Sequence, residues 1–321
     1  MQPELLPAAA MSDVVRAGET LAEAVSLQFQ ELPSDERQVQ IEQLLESHGC
    51  GDVNIDDSRI ILDAGRVVGV LLLVAQNDGT IYVWPAATDS RIPPYDATRM
   101  RRELYAAAVR VVDESGVWIA QSLLESTEEE TSLGLSDNGF PKLTSLLFMN
   151  RSLDIPVPPT VLPPDCRLIS FDAESDRGRY ARTIERTYVG TLDCPELNGC
   201  RNGEQSLLGH RRSGIFDPSR WLLLTDGDVD AGLLLLTEHP EDQVWEVVYV
   251  GLVPEVRGRG LGRLLLLEGL HRAQQARALE VVLAVDERND PAIALYEGLD
   301  FTSFERRLVH ARLPVRSPDQ N

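Results

Sequence analysis

The residues with the most chemical content lie between positions 246 and 296. The segment Val253-Pro254-Glu255-Val256-Arg257-Gly258-Arg259-Gly260-Leu261-Gly262-Arg263 follows a strand-like run and opens a helix-like one. Its glycines let the backbone approach a ligand closely and take positive φ. The free N–H groups of a helix start, together with the helix dipole, form an anion site suited to a pyrophosphate. Arg257, Arg259 and Arg263 add positive charge beside it. The plain alternative is a glycine-rich turn with solvated arginines. A P-loop ends in Gly-Lys-Ser/Thr, whereas Gly262 is followed by Arg263 and Leu264. A dinucleotide-binding turn needs G-x-G-x-x-G, and the glycines here stand at 258, 260 and 262. Glu280 falls about where a ribose-binding acid belongs, but hairpins rather than βαβ units precede the loop.

A second motif, Asn289-Asp290-Pro291-Ala292-Ile293-Ala294-Leu295-Tyr296-Glu297, follows downstream. Arg257–Gly262 resembles the R/Q-x-x-G-x-G/A loop of the GCN5-related N-acetyltransferase (GNAT) family, and Asn289–Glu297 resembles that family's N-x-x-A-x-x-L-Y-E signature. The spacing between the two is also similar to the family's. The family's last motif usually ends in Gly-Phe, and here it reads Asp300-Phe301, a change expected to affect a turn rather than the chemistry. The resemblance covers residues 166–313.

This resemblance implies acetyl-CoA as co-substrate, and no metal is expected. The backbone of Leu252 and Val253 would pair with the pantetheine arm. The amides of Arg257, Gly258, Arg259, Gly260, Leu261 and Gly262 would hold the pyrophosphate, with Arg263 beside them, and the Asn289 side chain would contact the cofactor arm. Tyr296 would protonate the leaving thiolate. A thiol of pKa about 8.5 and a phenol of pKa about 10 suit that transfer, although a tyrosine there can equally pack its ring on the core. A base is also needed, because a protonated amine cannot attack a thioester. Glu246, eleven residues before Arg257, occupies an offset similar to a carboxylate of histone-acetylating members, and can equally be a solvent-facing strand residue. Glu238 and His239 are weaker candidates. The loop Thr191–Arg201 lies where such folds cover the acceptor, as a lid or an ordinary connector. Cys194, Cys200 and His210 within and after it lack a zinc-site spacing.

Elements that would position these residues are legible. Helices are expected over Glu174–Val189, Glu204–Arg212, Leu261–Ala278 and Pro291–Leu299, and strands over Trp221–Thr225, Val229–Thr237, Val244–Leu252, Glu280–Val285 and Thr302–Leu313. Asp226-Gly227-Asp228 is a hairpin signal. Hairpins followed by a β-α-β crossover give an α/β fold, a mixed, largely antiparallel sheet flanked by helices. Five prolines between Asp154 and Asp165 mark an extended, semi-rigid connector. It divides the chain into residues 1–153, 154–165 and 166–321.

The two halves look related. Gly69, in a turn-into-strand run, and Gly232, in a similar one, are 163 residues apart, and Phe140 and Phe301 are 161 apart. A near-constant offset at two landmarks argues for a duplicated domain, so the expectation is two tandem GNAT-like domains. The arrangement resembles that of a family member built from two such domains with the C-terminal one active. On the 161 offset, Glu128 stands for Asn289 and Leu135 for Tyr296, and the stretch Asp89–Arg102 has no glycine but holds Pro93 and Pro94. Residues 1–153 therefore read as a degenerate copy retained for packing, substrate shaping or regulation.

Composition bounds the rest. The 321 residues include 51 Asp+Glu against 30 Lys+Arg, a net charge of −21, which disfavours binding to phosphate backbones and so excludes nucleic acid as a general partner. Apolar runs such as Val67–Ala75 fall far short of the ~20 residues that cross a bilayer, and no charged start precedes an apolar stretch at the N-terminus. Four cysteines do not make a disulfide framework. A cytoplasmic monomer or homodimer with no membrane partner is expected. The function expected is transfer of an acetyl group from acetyl-CoA to a primary amine of a small molecule or peptide by direct attack. The alternatives are a non-catalytic acyl-CoA-binding or sensing protein and a nucleotide-dependent oxidoreductase. Small metabolite amines, aminosugars, antibiotics, peptide N-termini and polyamines all remain open as acceptors.

Overall fold

In the computed structural model the described residues are 15–17, 20–172 and 175–313. Contacts divide the chain into two compact units, one holding residues up to Leu143 and those from Val309 on, the other Thr144–Leu308.

The first unit runs β1 (Val15–Arg16), α1 (Leu21–Gln28), α2 (Ser34–Cys50), β2 (Val53–Asn54), β3 (Arg59–Asp63), β4 (Arg66–Leu71), β5 (Leu73–Gln76), β6 (Thr80–Val83), β7 (Ala87–Thr88), α3 (Pro94–Ser115), β8 (Ile119–Glu125) and α4 (Glu129–Asp137). Its strands form the antiparallel set β1-β3-β4-β7 and the set β2-β5-β6-β8, in which only β6 and β8 run parallel.

The second runs β9 (Lys142–Ser152), β10 (Cys166–Ser170), α5 (Arg177–Thr187), α6 (Gly203–His210), β11 (Trp221–Asp226), β12 (Val229–His239), β13 (Val244–Leu252), α7 (Leu261–Gln275), β14 (Glu280–Asp286), α8 (Asp290–Glu297) and β15 (Thr302–Arg312). Its sheet order is β10-β11-β12-β13-β14-β9-β15. The β13–β14 pair is parallel, and the pairs from β10 to β13 and the β14–β9 pair are antiparallel. The expected elements of this half stand within a few residues of their expected bounds, and the one expected helix position that cannot be placed, Glu174, lies outside the described residues. β9, which the proline-rich boundary counts with the first half, pairs with β14 from Ser152↔Glu280 to Leu146↔Asp286.

The leucine-rich strands of this unit follow from a sheet covered on both faces. Leu222, Leu224, Leu234 and Leu236 bury against α7 through Leu265, Leu266 and Leu270. Trp221, Leu223, Leu233 and Leu235, one position over, bury against Tyr180 and Ile184 of α5 and Leu207 of α6. The segment from Asp154 to Asp165 carries neither helix nor strand. The buried Arg151 guanidinium ties its start to the end of α8, donating to Leu299 O at 2.7 Å, Pro156 O at 3.1 Å and Ile155 O at 3.3 Å.

Candidate functional site

Two irregularities in β13 open a site. Its parallel pairing with β14 runs only from Val244↔Glu280 to Val247↔Leu283, after which no partner on that side is recorded among the described residues. On the other side, the register with β12 shifts between Leu235 and Leu236, leaving Val248 without a Cα partner, the mark of a β-bulge that re-aims backbone groups. A cavity of about 510 Å³ occupies this divergence, with walls that include Val247–Leu252, Leu283 and Ala284. That is the size range of small-molecule sites.

The glycine-rich loop closes one end. Gly258 and Gly260 have φ of +74° and +80°, conformations that favour glycine, and a Cβ on either would meet nothing within 4 Å on the protein side. Among the described residues, the backbone N–H groups of Gly258–Arg263 have no acceptor. Six free amides at the start of the 15-residue α7 are therefore available to an anion.

The three arginines are not equivalent. Arg257 spends its guanidinium inside the protein, donating to Leu252 O, Thr187 O and Gly190 O at 3.0, 2.8 and 3.2 Å, which braces the loop against the end of α5. Arg259 pairs with Asp226. Arg263 lines the cavity, and its Nη1 is buried without a partner. The basic island expected from the sequence thus narrows to one uncommitted guanidinium. A buried orphan donor beside six free amides fits a diphosphate group.

Leu252, Gly258, Gly260, Gly262, Asn289 and Tyr296 all line the cavity. Val253 and Leu261 are buried and do not. The Val253 N–H donates to Ala231 O at 2.9 Å and its carbonyl accepts from Val256 N–H at 3.2 Å, so both backbone groups are already used. Asn289 caps α8, its Oδ1 accepting from Ala292 N–H at 3.3 Å. Tyr296 is 6 % exposed, and its hydroxyl has no hydrogen-bond partner among the described residues. Burial, with the charge of Asp193 adding to it, pushes its phenol above the usual value. Glu246 is not among the lining residues; its Oε2 lies 2.9 Å from His239 Nε2.

The loop after α5 supplies what sequence reasoning did not single out. Asp193 is the one carboxylate among the lining residues. Its Oδ1 accepts from the Asp286 N–H at 2.9 Å, and in return Asp286 Oδ2 accepts from the Cys194 N–H at 3.1 Å. Burial alone would raise the Asp286 pKa, but bonds from Arg288, Thr144 and the Cys194 N–H outweigh it and hold the group at about 2. Arg288 also spans to Glu196 at 2.7 and 3.0 Å. The end of β14 therefore clamps the expected acceptor-covering loop at Asp193, Cys194 and Glu196. These partners are 92 or more residues apart, so no local pattern reveals them.

Residues 188–301 match the family model for the acetyltransferase (GNAT) family. A mycothiol acetyltransferase of Thermomonospora curvata is 33 % identical over 177 residues, covering 55 % of this chain and 58 % of that protein. One of Rhodococcus erythropolis is 28 % identical over 262 residues, covering 78 % and 83 %. The chain thus spans less than two thirds of the length of the first of these relatives. A GCN5-related N-acetyltransferase from Sphaerobacter thermophilus superposes with a TM-score of 0.60 at 17 % identity, over 98 % of this chain and 96 % of that one. A tandem GNAT protein from the clavulanic acid biosynthesis pathway superposes with a TM-score of 0.53 at 13 % identity, over 95 % and 98 %. At these identities the likeness is one of fold, and the fold is two tandem GNAT-like domains. The cofactor loop and the Asn-to-Tyr helix both lie inside the matched span, so what residues 188–301 share with the acetyltransferase (GNAT) family includes the site-forming segments.

Proposed function

We propose that the second unit transfers an acetyl group from acetyl-CoA, the co-substrate of GNAT acetyltransferases, to a primary amine. The observation that carries this is the convergence, on one cavity, of an unpaired strand edge at Val248–Leu252, six unpaired amides at Gly258–Arg263 and the Tyr296 hydroxyl. The amides and Arg263 would bind the diphosphate, and the β13 edge would align the pantetheine amides as an added strand. The Val248 bulge would aim a backbone N–H at the thioester carbonyl, favouring negative charge on its oxygen during attack. Tyr296, in an apolar wall, would hold its proton until the thiolate departs.

Removal of a proton from the incoming ammonium requires a base. The base expected from the sequence, Glu246, stands outside the cavity wall and is engaged by His239, so it could act only through an intervening water. Similarity to mycothiol acetyltransferases makes mycothiol-related amines the first acceptors to test. The test is release of CoA thiol from acetyl-CoA in a panel of aminosugars, polyamines and short peptides. Amine-dependent release supports the reading. CoA binding with no release for any amine would contradict it and favour a sensing module.

A further inference from the structure

The acidic end of the same cavity carries a more specific assignment, which rests on the acetyl-transfer reading above. Asp193 faces the cavity together with Tyr188, Tyr249 and Tyr296. Its placement is built rather than incidental. The Asp193 N–H donates to Thr191 Oγ1 at 3.1 Å, and Oδ1 is held by the Asp286 N–H at 2.9 Å. Asp286 is itself fixed by Thr144 Oγ1 at 2.7 Å and by Arg288. Oδ2 has no partner among the described residues. The carboxylate is thus oriented through one oxygen and left with the other uncommitted, in the wall that also carries the proposed acid.

We propose that Asp193 receives the acceptor's amino group and takes its proton, so that the site selects amines arriving as ammonium ions. An ammonium paired with Oδ2 gives up one proton to it, leaving a neutral amine and a protonated Asp193. The nitrogen lone pair then attacks the thioester carbon and the C–S bond breaks. The Tyr296 proton goes to the departing sulfur, and the extra proton on nitrogen returns to the Tyr296 oxygen. Asp193 finally loses its proton to solvent. One ammonium and one thioester become one amide, one thiol and one released proton.

Two physical features favour Asp193 for this role over a base reached through water. Asp193 is solvent-exposed, so an arriving ammonium can reach it directly. The protein packed around its carboxylate raises its pKa, with the Asp286 N–H bond and Arg288 opposing and the Asp286 charge adding to the rise, which makes it a stronger proton acceptor. It is also the only lining carboxylate among the described residues, in a cavity whose glycine-rich loop presents free amides to an anion. The titratable groups that face it are Asp286, Arg288, Cys194, Tyr188, Tyr249 and Tyr296. Asp286 is held at about 2, Arg288 is raised by its bond to Asp286, and burial raises Cys194 and all three tyrosines. The shifts of these neighbours all run away from neutral pH, so they do not titrate there alongside the amine.

The test compares the full chain with Asp193→Asn, which keeps an oxygen for the Asp286 N–H, and with Asp193→Glu. The probes are acetyl-CoA with glucosamine, spermidine, glycylglycine or n-butylamine. In Asp193→Asn, kcat/KM for the amine is expected to fall about 100-fold or more, with KM for acetyl-CoA within about twofold. The deficit should narrow as pH approaches the amine's own pKa, where free base is abundant. Asp193→Glu should retain the pH profile of the unsubstituted chain and recover most of the loss. A smaller loss in Asp193→Asn, a deficit constant with pH, or a changed profile in Asp193→Glu overturns the assignment. Absence of CoA binding or of turnover in the unsubstituted chain fails the acetyl-transfer reading itself, and the Asp193 assignment falls with it.

Discussion

The two units repeat one pattern of strands and differ where a cofactor would sit. In the second, Leu233↔Gly251 and Gly232↔Leu252 pair at the end of β13. In the first, Val70↔Ala87 and Gly69↔Thr88 pair in the same way at β7. Both units carry a register shift in the preceding hairpin, at Ile61/Leu62 and at Leu224/Thr225. Both place a parallel strand pair next, β6–β8 and β13–β14. These matched registers put Trp84 at the place of Val248, Pro85 at that of Tyr249 and Ala86 at that of Val250.

From there the units diverge chemically. Pro85 has no N–H to offer a ligand. The Ala86 N–H is already taken, donating to the hydroxyl of the buried Tyr105 at 3.2 Å. The long helix of the first unit begins with Pro93 and Pro94, whereas α7 begins at Gly260 with free amides before and after it. Glu128 stands at the start of α4 without a side-chain cap bond, where Asn289 caps α8, and the buried Leu135 stands for Tyr296. The same framework thus keeps its core positions, Phe140 and Phe301 among them, while one copy loses the groups that would meet an anion and a thiolate. Fold and site are separable properties of the sequence.

That contrast can be broken from either side. The largest effect is expected from Gly260→Glu, which forces a side chain into a left-handed position and a negative charge among the free amides. CoA affinity measured by calorimetry should fall by at least about 100-fold, or about 2.7 kcal/mol, and retained affinity would reject the loop as the anion site. Tyr296→Phe should lower kcat by about 100-fold while the CoA Kd stays within about twofold; unchanged turnover would remove its acid role. Arg263→Met removes the loop's uncommitted guanidinium and should weaken CoA about tenfold, about 1.4 kcal/mol. By contrast, Arg259→Met should change the Kd by less, because Arg259 already has Asp226. The smallest effect belongs to the first unit. Tyr105→Phe leaves the Ala86 N–H without its partner and should cost about 1 kcal/mol in thermal unfolding, with CoA affinity and turnover unaltered. A change in CoA affinity there would mean that the first unit takes part in binding.

Much of this was legible in the sequence, for a physical reason. The glycine loop and the Asn289–Tyr296 helix are contiguous, so spacing alone displays them. The strand bounds of Val244–Leu252 follow from an apolar run broken only by Glu246, and the duplication shows as a near-constant offset. The bracing by Arg257, the Arg259–Asp226 pair and the Asp193–Asp286–Arg288 clamp are contacts across dozens of residues, and nothing local distinguishes those side chains from solvated ones. The pairing of β9 with β14 was hidden for the same reason, because strand partners chosen at long range leave no periodicity in either strand. Glu246 shows the converse, a residue at a suggestive offset whose carboxylate is engaged by a histidine seven positions away.

The central claim is that one of two equivalent frameworks holds the cofactor. Calorimetric titration of CoA into the full chain, beside the Gly260→Glu variant, tests it most directly. The account predicts one site per chain, lost in the variant. Two sites, or binding that survives the substitution, would contradict it.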